Sequence, residues 1–311
     1  MHEVMITAGD ANRRLDKFLF MYLKNAPHSL VYKLLRKKRI KLNGKRAVGG
    51  ELLAGGDAIG MYLSPETIAE LRKAGEHNSP LQVGLDIVFE DEHLLIVNKP
   101  AGIPSHGGMK GKEAHLLARV LGYLHKTGSY SADATFTPAL CNRLDVNTSG
   151  LVICGKNYQS IRAVNTAFAS EGSIEKTYLA IAEGELRGSA ILESHYHKDV
   201  KTNTAYITDN PENPKVITKY KSLAISKNRT LVQVNPITGR SHQIRAHMAS
   251  IGHPLVGDKK YGGRAEGKII SQLLHCYKLK LIEPLLGYPA DTEWTAEPPD
   301  YFQQIIDNIN I

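Results

Sequence analysis

The 311-residue chain is long enough for two domains, and its 42% content of hydrophobic residues allows a sizeable buried core. No apolar run approaches the roughly 20 residues of a membrane-spanning helix, and the N-terminus lacks the apolar segment of a secretory signal. Cys141, Cys154 and Cys276 are too few and too scattered for a disulfide framework or a zinc site. The composition therefore predicts a cytoplasmic protein with reduced thiols, no metal centre and no membrane partner.

The net charge of +8 is concentrated near the N-terminus. Residues 13–46 contain twelve Lys or Arg and one acid, Asp16, which gives this segment a net charge of +11. A dense basic segment is typical of a surface that binds phosphate backbones. A solvated surface or an acidic protein partner is the alternative, and the helical periodicity of the cations favours nucleic acid.

Two helices and a hairpin are predicted for the first 63 residues. Apolar residues recur at helical spacing, first at Leu15, Phe18, Leu19 and Tyr22 and then at Val31, Leu34 and Leu35. A strand at 40–42 follows the basic run 36–39, the dipeptide Asn43-Gly44 favours a tight hairpin turn, and residues 57–63 can return as another strand. The polar segment 64–80 has a proline near each end and is predicted to be a linker, with room for a short helix.

The order of RRLDKFL, SLVYKLLRKKRIKLNGKRA and GGDAI resembles the small RNA-binding domain first described in a small-subunit ribosomal protein. The resemblance covers residues 13–61 and implies contacts to RNA phosphates from a set of basic residues, Arg36, Lys37, Lys38, Arg39 and Lys41. Lys38 stands where a glycine is common before the strand.

The region from 81 to 311 is predicted to be one large domain. A hairpin at 85–99 and strands at 175–181, 216–225 and 230–234 alternate with helices, one of which carries Ile161, Val164 and Phe168 at helical spacing. In the strand at 175–181, Tyr178 points away from the face shared by Leu179 and Ile181. Most tyrosines in β-strands serve only to pack against neighbouring side chains, and position in the strand alone would assign Tyr178 that role.

One carboxylate lies on a loop that leads into a buried strand. The segment CNRLDVNTSGLVIC at 141–154 places Asp145 before a Thr-Ser-Gly turn and an apolar run. Catalytic groups are often carried on loops of this kind, although a lone Asp in a turn is more often a turn former.

A second segment, PITGRSHQIRAHM at 236–248, combines a Thr-Gly turn with an Arg/His helix face. Ser241 is predicted to cap this helix, which would continue to about Ile251 and would carry His242 and Arg245 on one face. His242 and His247 are five residues apart with no adjacent Glu, which excludes the zinc helix of a metalloprotease.

Four blocks in order, FEDEHLLIVNKPAG, NRLDVNTSGLVI, EKTYLAIAEG and NPITGRSHQIRAHMASIGHPLVGDKKYG, resemble the RluA branch of the pseudouridine synthases. The resemblance spans 85–277, continues in LLHCYKL, and departs from the usual pattern at Asn142, where His is more common. It implies an α+β fold: a small two-helix and hairpin RNA-binding domain (1–63), a linker (64–80) and a catalytic domain (81–311) with a large mixed, mainly antiparallel sheet and flanking helices.

The resemblance also implies roles for individual residues. Asp145 matches the essential catalytic aspartate, and Arg245 matches the arginine that pairs with it. Tyr178 matches a tyrosine that stacks on the target base and is a candidate base for its C5 proton. Arg143 matches a residue that fills the RNA stack left by the flipped uridine, and Leu274 matches an apolar residue that packs against the base.

The implied reaction breaks the C1′–N glycosidic bond of a uridine, turns the uracil and rejoins it through C5. It requires no NAD, ATP or metal, and the chain has neither a GxGxxG fingerprint nor a P-loop. Arg245 would favour the ionised form of Asp145 and, through a bidentate pair, fix its direction. The appended basic domain favours large-subunit (23S) ribosomal RNA as the partner, with transfer RNA as the alternative and a monomer as the default state.

Two other functions compete with this one. An RNA chaperone or assembly factor could keep the fold without turnover, but the presence of Asp145, Tyr178 and Arg245 favours the enzyme. A hydrolase could use Ser149 with a His and Asp145, but the chain lacks the Gly-x-Ser-x-Gly elbow.

Overall fold

A computed structural model of the chain describes residues 1–72, 84–107, 115–131, 136–226, 228–267 and 269–309. Within them the chain has a mixed α+β fold with a four-stranded sheet near the N-terminus and an eleven-stranded sheet in the remainder. This confirms the predicted α+β class and the predicted large, mainly antiparallel sheet of the catalytic domain.

The N-terminal unit packs helices against the four-stranded antiparallel sheet. Its elements are β1 (His2–Met5), α1 (Leu15–Tyr22), α2 (His28–Arg36), β2 (Ile40–Leu42), β3 (Lys45–Arg46), β4 (Ala58–Met61) and α3 (Pro65–Arg72), with a 3-10 turn at Ala8–Asp10. The strand order is β1-β4-β2-β3. The apolar residues at helical spacing, such as Phe18 and Leu35, are buried against Ile40 and Ile59 because each helix has a single apolar face.

Helix α3 changes the description of the predicted linker. Ile68 is 4% exposed and lies in the N-terminal core, and the backbone N–H of Asn25 donates to the carbonyl of Leu71 at 2.9 Å. The chain is therefore part of the N-terminal unit through Arg72, because α3 has an apolar side to bury. Residues 73–80 of the predicted linker lie outside the described residues.

Lys38 occupies a backbone position that suits glycine. The N–H of Lys38 donates to the carbonyl of Leu35 at 3.0 Å, and the N–H of Arg39 donates to that of Leu34 at 2.9 Å. This pair of bonds is the Schellman motif, in which the residue after the helix takes the left-handed conformation. Lys38 has a φ of 57°, which explains why glycine is common at this position.

The large sheet contains all strands from residue 87 onward that the structure describes. They are β5 (Ile87–Glu90), β6 (Leu94–Lys99), β7 (Ala139–Leu140), β8 (Ser149–Gly155), β9 (Ile174–Glu183), β10 (Ser189–Asp199), β11 (Thr204–Thr208), β12 (Lys215–Ser226), β13 (Arg229–Pro236), β14 (Leu274–Leu281) and β15 (Glu293–Thr295). The main order is β11-β10-β12-β13-β9-β14-β8-β6-β5, with β15 beside β14 and β7 beside β8. The β8–β14 pair is parallel, and the other described pairs are antiparallel.

Helices cover this sheet on both faces. They are α4 (Leu116–Lys126), α5 (Tyr158–Ala169), α6 (Gln243–Ser250) and α7 (Asp300–Ile309), and a second 3-10 turn spans Lys259–Tyr261. In the middle of the sheet, Tyr178 and Ala180 pack on the α6 side, whereas Leu179 and Ile181 pack on the α7 side. The alternation expected for β9 is therefore present, and it directs Tyr178 toward the face that carries α6.

Arg13 connects the two parts of the chain. It is 1% exposed, and its guanidinium carbon lies 4.0 Å from the ring centroid of Tyr158 on α5 and 5.7 Å from that of Phe136. Asp10 is its ionic partner, at 3.4 Å. Arg13 is one of the cations of the basic segment, but its burial at this contact removes it from those that can reach an RNA.

The three cysteines are free thiols, and Cys154 and Cys276 are buried. No helix among the described residues is both long and apolar enough to cross a membrane.

We predict that Lys38→Gly stabilises the N-terminal unit by about 0.5–1 kcal/mol, because glycine adopts a positive φ without steric cost. Hydrogen exchange at the α2 amides of the full chain measures this free energy. Lys37→Gly is the matched control. Lys37 has a φ of −80°, which any residue adopts, so glycine brings no relief there and the variant should be less stable than the wild type. Equal exchange in the two variants would contradict the prediction.

Candidate active site

Asp145 lies on the loop between β7 and β8, and this loop is fixed at several points. The Asn142 side chain accepts from the N–H of Ile153 at 2.8 Å and donates to the carbonyl of Leu151 at 3.1 Å. Ser105 accepts from the N–H of Leu144 at 3.1 Å and donates to its carbonyl at 3.0 Å. Asn142 thus supplies side-chain hydrogen bonds to β8 at the position where the family more often has His.

A buried lysine joins this loop to the preceding one. Lys99 is fully buried, and its ammonium group donates to the carbonyls of Pro100 and Ile103 at 2.9 Å and of Val146 at 3.1 Å. Burial lowers the pKa of Lys99 to about 8, and the nearby charge of Asp145 opposes this shift. Because Val146 directly follows Asp145, Lys99 fixes the backbone that carries the carboxylate.

The predicted pairing of Arg245 with Asp145 is present, but it has a different form. Arg245 Nη1 donates to Asp145 Oδ2 at 3.0 Å. The bidentate edge of the guanidinium instead faces Asp258, with Nε and Nη2 donating at 2.6 and 2.7 Å. The expected bidentate pair with Asp145 is therefore wrong: this carboxylate receives one hydrogen bond, from Nη1, and the bidentate pair is made with Asp258 instead.

The burial of these three side chains differs in a way that suits a reaction site. The side chain of Asp258 is 1% exposed and that of Arg245 is 8% exposed, whereas that of Asp145 is 24% exposed. Burial would lower the pKa of Arg245, but hydrogen bonds and charge attraction from Asp258 and then Asp145 raise it. The cation is thus secured by a buried carboxylate, while the second carboxylate remains accessible to a substrate.

Helix α6 begins in a conformation that the sequence did not predict. The residue before its first turn is His242, which has a φ of 56°, and Ser241 is exposed and shares a hydrogen bond with Tyr196 at 3.0 Å. The expected Ser241 cap is therefore wrong. Gln243 fixes the helix start instead, accepting from Thr238 at 2.9 Å and donating to the Thr218 hydroxyl at 2.9 Å.

The left-handed backbone at His242 brings its imidazole to the site. Nε2 lies 3.7 Å from Asp145 Oδ2, and Nδ1 lies 3.0 Å from the hydroxyl of Tyr261. Burial is the main cause that lowers the pKa of His242, and the charge of Asp145 acts in the opposite direction. The Tyr261 ring also lies under the Arg245 guanidinium, at 4.9 Å.

Tyr178 and Leu274 lie on neighbouring strands of the same sheet face. Both pack in the cluster under α6, and Leu274 is 5% exposed and paired with Ala180 in the ladder. Burial raises the pKa of Tyr178 well above its ordinary value, and contact with Cys276 and the charge of Asp145 add to the shift. Tyr178 therefore lies within electrostatic range of the carboxylate and carries its proton at neutral pH.

The predicted RNA contacts lie on the surface. Arg143 is exposed two residues before Asp145, and its charge lowers the pKa of His106 after the effect of burial. Arg36, Lys37, Lys38 and Arg39 are exposed at the end of α2. Lys41 is half-buried on β2, with its amine 4.9 Å from the Tyr62 ring centroid.

Sequence reasoning missed three groups of this site, namely Asp258, Lys99 and Tyr261. Asp258 and Tyr261 are part of the GDKKYG segment, which contributes to the resemblance to the family but carries no local pattern that predicts a role for either residue. A charged residue at the end of the apolar run LLIVNK was a signal for Lys99, because a lysine in a buried strand requires acceptors. No group of metal-ligating side chains occurs among the residues that the structure describes.

Residues 93–250 match the RNA pseudouridylate synthase family, and this range contains Asp145, Tyr178 and Arg245. The chain belongs to the RNA pseudouridylate synthase family. It is therefore an isomerase that acts on RNA.

Similar proteins agree with this assignment. The chain is 30% identical to the ribosomal large subunit pseudouridine synthase C of Vibrio vulnificus, over 90% of this chain and 88% of that protein. It is 29% identical to the protein of the same name from Escherichia coli K12, over 91% and 89% of the two chains. The solved human RNA pseudouridylate synthase domain containing 4 has the same fold, with a TM-score of 0.57, 21% identity, and coverage of 72% of this chain and 93% of that one.

We predict that Asp258→Asn lowers kcat for pseudouridine formation by at least about tenfold, because Arg245 loses its bidentate partner and small misplacements of reacting groups are costly. RNA affinity should be unchanged, and thermal stability should fall by about 1–3 kcal/mol.

Asp91→Asn is the matched control for that loss of stability. Asp91 accepts from the N–H groups of His93 and Leu94 at 2.8 Å, in a turn between β5 and β6. This variant should lose stability but retain kcat per folded molecule. Equal kcat losses in the two variants would show that Asp258 acts only through stability.

Proposed function

We propose that this enzyme isomerises specific uridines of large-subunit (23S) ribosomal RNA to pseudouridine, with Asp145 as the group that acts on the flipped nucleotide. The observation that carries the proposal is a partly exposed carboxylate, bonded to a buried arginine that is itself fixed by Asp258. The choice of ribosomal RNA is supported by the names of the similar bacterial proteins.

The reaction conserves all atoms of the nucleotide. The C1′–N1 bond breaks, the uracil turns within the site, and a C1′–C5 bond forms. The C5 carbon then loses a proton and N1 gains one, so the net change is an isomerisation with no oxidant, reductant or co-substrate. The protein therefore has to position the base, supply a carboxylate at the ribose and transfer protons.

Asp145 is suited to the ribose step. An ionised carboxylate at this place can attack C1′, take a proton from C2′ or stabilise positive charge on the sugar, and each of these roles needs the carboxylate beside the ribose. Arg245 gives its bidentate edge to Asp258 and a single hydrogen bond, from Nη1, to Asp145. The carboxylate is thus oriented, yet it retains lone pairs for the substrate.

Tyr178 would stack on the extruded uracil, with Leu274 packing beside it. Burial raises the pKa of Tyr178 well above its usual value, so the phenol holds its proton in the resting site. This favours the stacking role over proton abstraction from C5 by a preformed phenolate. Stacking of a base on an aromatic ring contributes about 1–3 kcal/mol.

Extrusion of a stacked uridine costs a few kcal/mol, and two sets of cations would offset this cost. Arg143 is exposed close to Asp145 in sequence, so its planar guanidinium can fill the vacated place between bases. The exposed run from Arg36 to Arg39, with Lys41, would grip phosphates at a distance. An additional RNA contact on the same chain increases the overall affinity for one RNA.

The two competing functions are less well supported. A chaperone without turnover does not require the Arg245–Asp258 pair beside Asp145. The hydrolase hypothesis needs an accessible serine, whereas Ser149 is 2% exposed and bonds to His275 at 2.8 Å. The other nitrogen of His275 donates to the carbonyl of Ala296 at 2.7 Å, so Asp145 does not orient this histidine.

We predict that Asp145→Asn abolishes pseudouridine formation while RNA affinity stays within about twofold, because the amide removes the charge but keeps the shape. The measurement is pseudouridine mapping in ribosomal and transfer RNA from cells that lack the protein and express either form. Asn147→Asp is a control that adds a carboxylate two residues away and should not restore activity to Asp145→Asn. Full modification by Asp145→Asn would contradict the proposal, and sites that disappear only from transfer RNA would overturn the choice of ribosomal RNA.

We predict that Lys37→Ser combined with Arg39→Ser weakens RNA binding. The slope of log affinity against log salt concentration should fall in magnitude by about 0.7–0.9 for each phosphate that the protein no longer neutralises. Lys219→Ser combined with Lys221→Ser is the control of equal charge, because both residues are exposed on the sheet face opposite Tyr178. Binding titrations at several salt concentrations measure both slopes. The same slope for both double variants would show that the end of α2 does not bind phosphate.

A further inference from the structure

An aromatic cluster lies on the outer side of α1 and α2, and no role has been assigned to it. The Phe20 and His28 rings are stacked, with centroids 3.8 Å apart and an interplanar angle of 20°. The Tyr32 ring meets Phe20 edge-on, at 5.7 Å and 77°. The three rings come from two helices and form one continuous surface, named here the aromatic platform.

Two of the three rings, His28 and Tyr32, are not part of the core of the N-terminal unit, against which Phe20 packs partly. Helix α2 directs Val31, Leu34 and Leu35 inward, and these side chains are at most 9% exposed. Tyr32 is 46% exposed and His28 is also exposed. The cluster therefore presents aromatic surface to the solvent, and a ligand that buries this surface would gain free energy.

The Tyr32 ring is held in place from one side. Its hydroxyl donates to Asp16 Oδ2 at 2.9 Å, and Asp16 is paired with Arg14 at 2.8 Å. Burial would raise the pKa of Asp16, but hydrogen bonds from Arg14 and Tyr32 lower it. Asp16 is therefore paired with a cation, and the Tyr32 ring is oriented before any ligand binds.

Cations flank the platform on both helices. The Lys17 amine lies 5.7 Å from the Phe20 ring centroid. His28, Tyr32 and Arg36 are spaced at i, i+4 and i+8 on α2, so they form one stripe along its exposed side. The whole surface belongs to the segment of net charge +11.

We infer that the aromatic platform stacks an unpaired nucleotide of the RNA, while Lys17 and Arg36 contact the adjoining phosphates. Rings and cations in alternation are the combination that single-stranded nucleic acid requires, because each base has a π-face and each linkage a negative charge. An acidic peptide would use the cations, but it lacks the regular series of flat π-faces that a single strand offers to the rings. This inference rests on the proposed RNA-binding role of the N-terminal unit and adds a preference for an unpaired segment.

The test uses the full-length protein and two probes, a single-stranded RNA of about 12 nucleotides and an RNA duplex of about 16 base pairs. In Tyr32→Leu we expect Kd for the single strand to rise between about fivefold and about one-hundredfold, with duplex affinity and the salt slope unchanged. Tyr32→Phe should lose much less affinity than Tyr32→Leu, because it keeps the ring and loses only the hydroxyl bond that orients it. Tyr206→Leu is the matched control, since Tyr206 is 49% exposed on the large sheet.

Circular dichroism of each variant tests for loss of folding, and His28→Ala provides a second removal of an exposed ring from α2. Selective weakening of single-strand binding in both ring-deletion variants would support the platform. Unchanged single-strand affinity in both, with a wild type that binds, would overturn the platform alone. A wild type that binds neither RNA would overturn the RNA-binding role of the N-terminal unit as well.

Discussion

The Arg245 guanidinium lies between two carboxylates of unequal burial, and the rest of the site depends on this arrangement. Asp258 is enclosed and receives two hydrogen bonds, whereas Asp145 is partly exposed and receives one. A buried arginine without a partner would be strongly destabilising, so Asp258 makes the cation tolerable inside the protein. Once it is secured there, the arginine can orient a second carboxylate whose remaining lone pairs face outward.

The fold supplies this geometry from several distant segments. Asp145 comes from the loop before β8, Arg245 from α6 and Asp258 from the turn after it, while Tyr178 and Leu274 come from β9 and β14. Lys99 fixes the backbone beside Asp145 through three carbonyls, and Gln243 fixes the first turn of α6. Asp145 and Arg245 are thus each held by further buried polar groups, which is how a site achieves preorganisation.

Sequence patterns were sufficient for the parts of the molecule that follow local rules. The helical spacing of Leu15 and Phe18, the hairpin before Lys99 and the alternation around Tyr178 all depend on one buried face per element. The start of α6 did not follow such a rule, because His242 adopts a left-handed conformation that Gln243 and Thr238 stabilise through contacts distant in sequence. Asp258 was missed for a similar reason: only the tertiary fold brings it to Arg245. Arg13 and Tyr32 show the same limit, since charge and aromaticity do not reveal which ring is exposed and which cation is buried.

The central feature of the proposed mechanism is an oriented carboxylate that meets the ribose of a flipped uridine. Its most direct test is a structure of the protein bound to an RNA with 5-fluorouridine at the modified position, because fluorine cannot leave C5 as a proton. We expect the Asp145 carboxylate to contact the ribose of the extruded nucleotide while Arg245 remains bonded to Asp258. A fluorouridine that stays stacked in the RNA, or a ribose that contacts other groups while Asp145 points away, would contradict this mechanism.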